Sequence, residues 1–132
     1  MGEKHYKLTF RLEPDYLYVR VTGIRSIANI VGIAEECQKA CDEHVYKKIL
    51  INAQRMTGEL SILNTYDLGR KEIEKLRRST LLKTAVVDLE KNRKRFEFFE
   101  NVLVNSGFNV RFFSSDRDAK RWLGESKDIS NK

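Results

Sequence analysis

Short apolar runs alternate with amphipathic stretches along most of this chain, and no other feature of the sequence constrains its fold more. The runs at 48–52, 84–87 and 109–113 are short and rich in β-branched or aromatic residues, as buried strands are. Between them the apolar residues recur every three or four positions, which is typical of helices with one buried face. Strands separated by helices favour a sheet of mostly parallel strands.

Two alternating runs open the chain and predict a β-hairpin. Apolar residues stand at positions 6, 8, 10 and 12 of the first run and at 17, 19 and 21 of the second. Between the runs, Pro14 presets φ for a turn and the side chain of Asp15 can hydrogen-bond its own backbone. The first two strands are therefore expected to be antiparallel neighbours.

Four helices are predicted after the hairpin. Ser26 is placed to cap the first, which ends near His44 and buries residues 27, 30, 34, 37 and 41. A loop at 53–60 leads to the second at 61–78. The third starts after a cap at Asp88 or Asn92 and ends at residues 106–107, and a short fourth starts after Ser115 and ends before Gly124.

The fold class that follows is α/β, with a leading β-hairpin and then alternating helices and strands. We expect a mixed, mostly parallel five-stranded sheet covered by four helices. A chain of 132 residues suits one compact core, so we expect a single domain at 1–124 and a polar, flexible tail at 125–132.

Positive charge is concentrated in one part of the sequence. The net charge is +6, and the window 70–95 holds ten bases and four acids, which accounts for the whole excess. Within it, Lys91, Arg93, Lys94 and Arg95 stand at the predicted start of the third helix, at the sheet edge where parallel strands end. Ligands and partners bind at that edge in open α/β folds, so these four bases are candidate anion-binding residues.

Other polar positions are expected at the same edge. Asn52, Gly58 and Asp88 follow or end predicted strands and form a candidate rim for a partner or ligand. The hydroxyls of Thr57 and Ser61 belong to the loop and helix start beside it. Ser61 also fits a simple helix N-cap.

Several kinds of chemistry are excluded by spacing. The glycines are too far apart for a nucleotide-binding loop, and His5 and His44 have no metal-ligand neighbours. Cys37 and Cys41 have helical spacing, which favours buried, reduced thiols. We therefore expect no metal, no cofactor and no enzyme activity. With no apolar run of membrane-spanning length and no signal peptide, the cytoplasm is the expected location.

The order of the elements and several short segments resemble the STAS family, the domain of bacterial anti-sigma-factor antagonists and of sulfate-transporter tails. The segments are the end of the hairpin at 21–23, the strands at 49–52 and 83–88, and the ending at 110–114 followed by 119–123. The resemblance covers nearly the whole domain. Its departures are similar to a divergent STAS branch related in shape to lipid-binding Sec14-type domains.

In regulatory members of that family, a phosphorylatable serine follows an aspartate in a short Asp-Ser-Ser-Gly stretch. Here the corresponding segment, 58–62, has Ser61 without the preceding aspartate or the following glycine, and Asn52 replaces the usual strand-end aspartate. The resemblance nevertheless marks Ser61, with Thr57 nearby, as a candidate phosphosite or partner contact.

These observations favour a non-enzymatic, STAS-like module that binds another protein, in a bacterial signalling pathway. The alternative is a small anionic ligand, a lipid headgroup or nucleotide, bound at the rim formed by loop 53–61 and the start of the third helix. Nucleic acid is less favoured, because Phe96, Phe99, Phe112 and Trp122 have buried spacing and offer no stacking surface. The sequence leaves the oligomeric state open.

Overall fold

A mixed five-stranded sheet forms the centre of the fold in the computed structural model, which describes residues 5–67 and 83–130. The strands are β1 (Tyr6–Leu12), β2 (Leu17–Ile24), β3 (Lys48–Thr57), β4 (Lys83–Val87) and β5 (Val110–Phe113). They lie side by side in chain order, with β1 antiparallel to β2 and the others parallel. The helices are α1 (Ile27–His44), α2 (Ile62–Asp67), α3 (Arg93–Asn105) and α4 (Asp116–Ser130). The α/β class, the leading hairpin and the mostly parallel five-stranded sheet are confirmed.

The hairpin turns where the sequence predicts it, and its far end needs a glycine. The N–H of Glu13 donates to the carbonyl of Tyr16 at 3.1 Å across the turn. Gly23 has a φ of +135°, and a Cβ there would lie 2.8 Å from both the carbonyl oxygen of His5 and the Cα of Tyr6. A larger residue at position 23 would therefore push β1 away from β2.

Helix α1 has the predicted bounds. The N–H of Asn29 donates to Oγ of Ser26 at 3.1 Å, so Ser26 is the N-cap. The most buried residues of α1 are at 29, 33, 37 and 41, whereas those at 27, 30 and 34 are half-buried and pack toward α3. The helix therefore buries a wider stripe than the sequence pattern predicts.

Helices cover both faces of the sheet. On the first face, called the α1/α3 face, α1 packs on β1 and β2, and α3 packs on β5. On the second, called the α4 face, α4 packs on β3, β4 and β5. Helix α2 contacts α3 rather than a strand. Within the described ranges, three helices thus lie against the sheet, and the predicted covering by four is not confirmed. The predicted continuation of the second helix to residue 78 lies outside those ranges.

Two elements are longer than predicted. Strand β3 continues to Thr57, where Ile24 of β2 pairs with it, so residues 53–57 belong to the sheet and not to a loop. Helix α4 continues past Gly124 to Ser130, whereas the sequence predicts a short helix. The apolar alternation misses the end of β3 because the β2–β3 register shifts between Arg20 and Thr22.

The two cysteines are small core residues, as their spacing predicts. Cys37 and Cys41 are 3% and 0% exposed, and both are free thiols. Burial raises the pKa of Cys41 to about 12 and raises the pKa of Cys37 as well. Both therefore stay protonated and unreactive at neutral pH.

Candidate functional site

A buried ion pair joins two strand ends at the rim. Nη1 of Arg25 donates to the carbonyls of Met56 and Gly58 at 2.9 and 3.0 Å. Nη2 donates to the carbonyl of Ala53 at 3.2 Å and to Oδ1 of Asp88 at 2.7 Å. The side chains of Arg25 and Asp88 are 12% and 10% exposed. Arg25 therefore fixes the end of β3 to the end of β4.

Asp88 lies at the end of β4, and one oxygen of its carboxylate, Oδ1, accepts three hydrogen bonds. Besides Arg25, Oδ1 accepts from the N–H of Leu89 at 2.7 Å and from Nδ2 of Asn92 at 3.1 Å. A 3-10 turn (Glu90–Asn92) separates Asp88 from α3, and the side chain of Asn92 forms no capping hydrogen bond. Asn92 thus occupies the N-cap position of α3, as one of the two predicted alternatives, but without a capping hydrogen bond from its side chain.

Arg25 is a rim residue that the sequence analysis missed. It directly follows β2, and β2 runs parallel to β3, so the two strands end at the same edge. A charged residue right after a parallel strand was the available signal.

Thr57, Gly58 and Ser61 lie close along the chain beside the Arg25–Asp88 pair. Thr57 ends β3, and its carbonyl accepts from the N–H of Arg25 at 2.8 Å. Gly58 has a φ of +81°, where glycine is the least strained residue. Oγ of Ser61 accepts from the N–H of Asn64 at 3.0 Å, so Ser61 caps α2.

The four bases at the start of α3 differ in how they are paired. Arg93 donates to Glu90 and Glu97, and its hydrogen bonds lower the pKa of Glu90. Arg95 donates to Glu59 at 3.0 Å and to the carbonyl of Leu60, so it does reach the segment before α2. Lys91 and Lys94 are exposed. Half of the predicted anion-binding set is therefore already engaged by carboxylates.

Asn52 lies on the opposite face of the sheet from the Arg25–Asp88 pair. It is 5% exposed, and its Nδ2 donates to Oδ1 of Asp116 at 2.8 Å. The hydroxyl of Tyr18 donates to Oδ2 of the same carboxylate at 2.6 Å. Burial and this carboxylate raise the pKa of Tyr18. Asn52 thus joins β2 and β3 to the start of α4 and does not meet Ser61.

A cavity of about 330 Å³ lies between α1, α3 and the sheet. Within the described part of the chain its walls are mostly apolar, with Ile51 and Val86 from the sheet, Ala34 from α1 and Phe99 from α3 among them. Arg25, Asp88, Asn92, Glu59 and Arg95 contribute its charged and amide groups at the rim. The volume is at the lower end of the range of about 300–1,000 Å³ for small-molecule sites.

The described ranges, 5–67 and 83–130, contain neither a cluster of metal-binding side chains nor a membrane-spanning helix. No group of three or more His, Cys, Asp or Glu side chains there could hold a metal ion. No helix there has the length and apolar character needed to cross a membrane.

Comparison with known proteins identifies the fold. No protein-family model and no curated protein matches the sequence. An anti-sigma factor antagonist from Mycobacterium paratuberculosis superposes with a TM-score of 0.58 at 14% identity, over 89% of this chain and 93% of that one. An uncharacterized DUF3478-family protein with a SpoIIAA-like fold, from Shewanella loihica PV-4, gives a TM-score of 0.54 at 14% identity, over 93% of this chain and 97% of that one. The chain therefore has a STAS-like fold, as the resemblance in its sequence predicts.

Proposed function

We propose that this chain is a non-enzymatic regulatory module that binds a partner protein through the α2 surface, defined as Ser61, Leu63 and Tyr66. The observation that carries this proposal is the exposure of two large apolar side chains on one short helix. Leu63 is 68% exposed and Tyr66 is 40% exposed. Residues three apart share one side of a helix, so the two form a small apolar patch beside Ser61.

The charges around this patch support binding over catalysis. Arg25 with Asp88 and Arg95 with Glu59 form ion pairs within the chain. Paired groups of this kind hold strands and loops together and do not act as free acids, bases or nucleophiles. The exposed groups of this region include Ser61, Leu63 and Tyr66 of the α2 surface, together with Lys91 and Lys94 near the start of α3.

The fold supports the same class of function. One solved structure with this fold is an anti-sigma factor antagonist, which by its name acts on another regulator. By analogy of fold, we infer a protein partner in a bacterial signalling pathway and a cytoplasmic setting.

Ser61, and with it Thr57, is our candidate for phosphorylation. Ser61 is exposed at the start of α2, and Arg95 donates to the carbonyl of the preceding residue, Leu60. A phosphate would add roughly two negative charges next to the patch and alter partner binding. Phosphopeptide mass spectrometry of the protein from its natural cells, with both residues always unmodified, would remove this part of the proposal.

Charge placed on the patch is expected to abolish partner binding. In affinity capture from cells of the source organism, Leu63→Asp and Tyr66→Asp should each reduce the recovery of the specific partner at least tenfold, because a carboxylate would have to be buried at the interface. Val45→Asp is the matched control, since Val45 is 80% exposed and lies at the other end of α1 from the rim. Equal recovery by all three variants and the wild type would contradict the proposal.

The cavity supports a second candidate, the binding of a small ligand. Its apolar walls and paired rim charges favour a ligand with an uncharged, apolar body over the small anion expected from the sequence. The neutral dye N-phenyl-1-naphthylamine should bind with one-to-one stoichiometry, and Ala34→Trp should abolish binding by filling the space. Ala28→Trp, on the exposed side of the same helix, should leave binding unchanged. No dye binding by the wild type would rule this candidate out.

A further inference from the structure

One face of the hairpin is largely free of helix packing in the described structure. Helix α4 packs mainly on β3, β4 and β5, and it reaches β2 at Tyr18, where the start of α4 lies against the strand. Residues paired across neighbouring strands point to the same side of a sheet. Arg11 pairs with Tyr18, Thr9 with Arg20 and Lys7 with Thr22, and Thr22 also pairs with Arg55. Since Tyr18 packs in the α4 core cluster, all of these side chains belong to the α4 face.

Five bases gather on this open surface. Lys7, Arg11, Arg20 and Arg55 are all exposed, and Lys120 reaches over from α4. The ring centroid of Tyr18 lies 4.3 Å from Cζ of Arg11, 6.0 Å from Cζ of Arg20 and 6.0 Å from Nζ of Lys120. We call these five bases the cationic face.

Four of the five bases have no acidic partner among the residues that the structure describes. Arg11 is paired with Glu13, but Lys7, Arg20, Arg55 and Lys120 form no ion pair with any residue in the described ranges. Arg93 and Arg95 at the rim pair with carboxylates, which leaves Lys91 and Lys94 exposed there. Within the described ranges, more bases without an acidic partner therefore lie together on the cationic face than at the rim. Like charges placed together repel one another, and a bound polyanion would relieve that repulsion.

The residue types on this surface fit a phosphate backbone. Arginine, lysine and threonine are common phosphate contacts, and Thr9 and Thr22 lie between the bases. Tyr18 is 3% exposed beneath Arg11, so no aromatic ring is available to stack on an unpaired base. Ile24 is the one exposed large apolar side chain on this face of the hairpin, whereas membrane-surface sites insert a larger apolar area.

We propose that the cationic face binds the phosphate backbone of a nucleic-acid double helix without recognising its sequence. Lys7 and Arg11 are four residues apart on β1, which corresponds to about 13 Å along the strand. A duplex carries one phosphate charge per about 1.7 Å of its axis with both strands counted, so about eight charges lie along that length, and those on one side of the duplex face the protein. This activity is separate from the protein binding proposed for the α2 surface.

The test is the salt dependence of duplex binding, measured by fluorescence anisotropy with labelled 25-base-pair DNA and RNA duplexes. Four uncompensated cations predict a slope of about −3.6 for log K against log salt, or a loss of about 150-fold in affinity between 50 and 200 mM KCl. Arg20→Ala or Arg55→Ala should each weaken binding to every sequence and reduce the loss to about 40-fold. The DNA and RNA arms show which duplex is preferred.

Lys39→Ala is the matched control, because Lys39 is an exposed base on α1, on the other face of the sheet. It should leave both the affinity and the slope unchanged. The proposal is overturned if neither duplex binds at 50 mM KCl, or if Arg20→Ala, Arg55→Ala and Lys39→Ala have equal effects. It is also overturned if the protein binds vesicles of phosphatidylcholine and phosphatidylserine but not the duplexes. Circular dichroism of each variant separates loss of binding from loss of fold.

Discussion

Arg25→Ala is expected to lower the free energy of unfolding by about 3–5 kcal/mol, the largest effect of any single substitution at the rim. The substitution removes hydrogen bonds to three backbone carbonyls at the end of β3 and leaves the carboxylate of Asp88 buried without its cation. An uncompensated buried charge is far more costly than a missing surface pair. Urea denaturation followed by circular dichroism measures the loss.

A double-mutant cycle separates the ion pair from the carbonyl contacts. Asp88→Ala alone should also destabilise, but the double variant Arg25→Ala/Asp88→Ala should lose less than the sum of the two single losses, because no buried charge is left unpaired. Arg93→Ala is the matched control, since its ion pairs are exposed and such pairs add little to stability. If Arg25→Ala costs no more than Arg93→Ala, Arg25 does not hold the strand ends together.

Asp116→Ala is expected to cost about 2–4 kcal/mol, the second large effect. The carboxylate accepts hydrogen bonds from Tyr18 and Asn52, both nearly fully buried, and a hydrogen bond to a charged group contributes about 1.5–3 kcal/mol. Asn52 keeps longer contacts with Gln54 at 3.3 Å and with the hydroxyl of Tyr18 at 3.4 Å, so the loss is less than the sum of two such bonds. The substitution also detaches the start of α4 from β2 and β3. The same denaturation experiment measures this loss.

Asp118→Ala is the matched control for Asp116→Ala. Both residues lie in the first turn of α4, so the negative charge of each interacts favourably with the helix dipole. Such an interaction contributes about 0.3–1 kcal/mol to stability. In the part of the chain that the structure describes, Asp116 accepts hydrogen bonds from buried side chains of the sheet and Asp118 does not. Equal losses for the two variants would mean that the contact with Tyr18 and Asn52 adds nothing to stability.

Elements with strong local signals were predictable from the sequence. The hairpin has its alternation and its proline turn, and α1 has the cap at Ser26 and a regular apolar stripe. Strand β3 was predicted only to Asn52, because a register shift against β2 breaks the alternation of its second half. No local pattern in residues 53–57 shows that β2 is long enough to pair with them.

The site was less predictable because its contacts join distant parts of the chain. Asp88 was expected at the sheet edge, but its partner Arg25 lies on another connection. The position of Asn52 depended on which helix covers its side of the sheet. Side chains alternate between the two faces of a strand, so Asn52 shares a face with Leu50, and the structure shows that α4 covers that face.

The positions of uncompensated charge were also hard to predict from the sequence. The run 91–95 stands out there, yet Arg93 forms ion pairs with Glu90 and Glu97, which lie within four residues of it. Lys7, Arg20 and Arg55 are far apart in sequence and meet only when β1, β2 and β3 pair. Each of those strands holds only one or two bases and no run of them, so the cationic face could be recognised only in three dimensions.

The most direct test of the proposed function is photo-crosslinking from the α2 surface in living cells. A photoreactive amino acid is placed at position 63, and in a separate variant at position 45, and adducts are resolved by mass. We expect position 63 to crosslink to one defined protein and position 45 to give no adduct with that protein. The same adduct from both positions, or none from position 63 while the variant remains folded, would contradict partner binding through this surface.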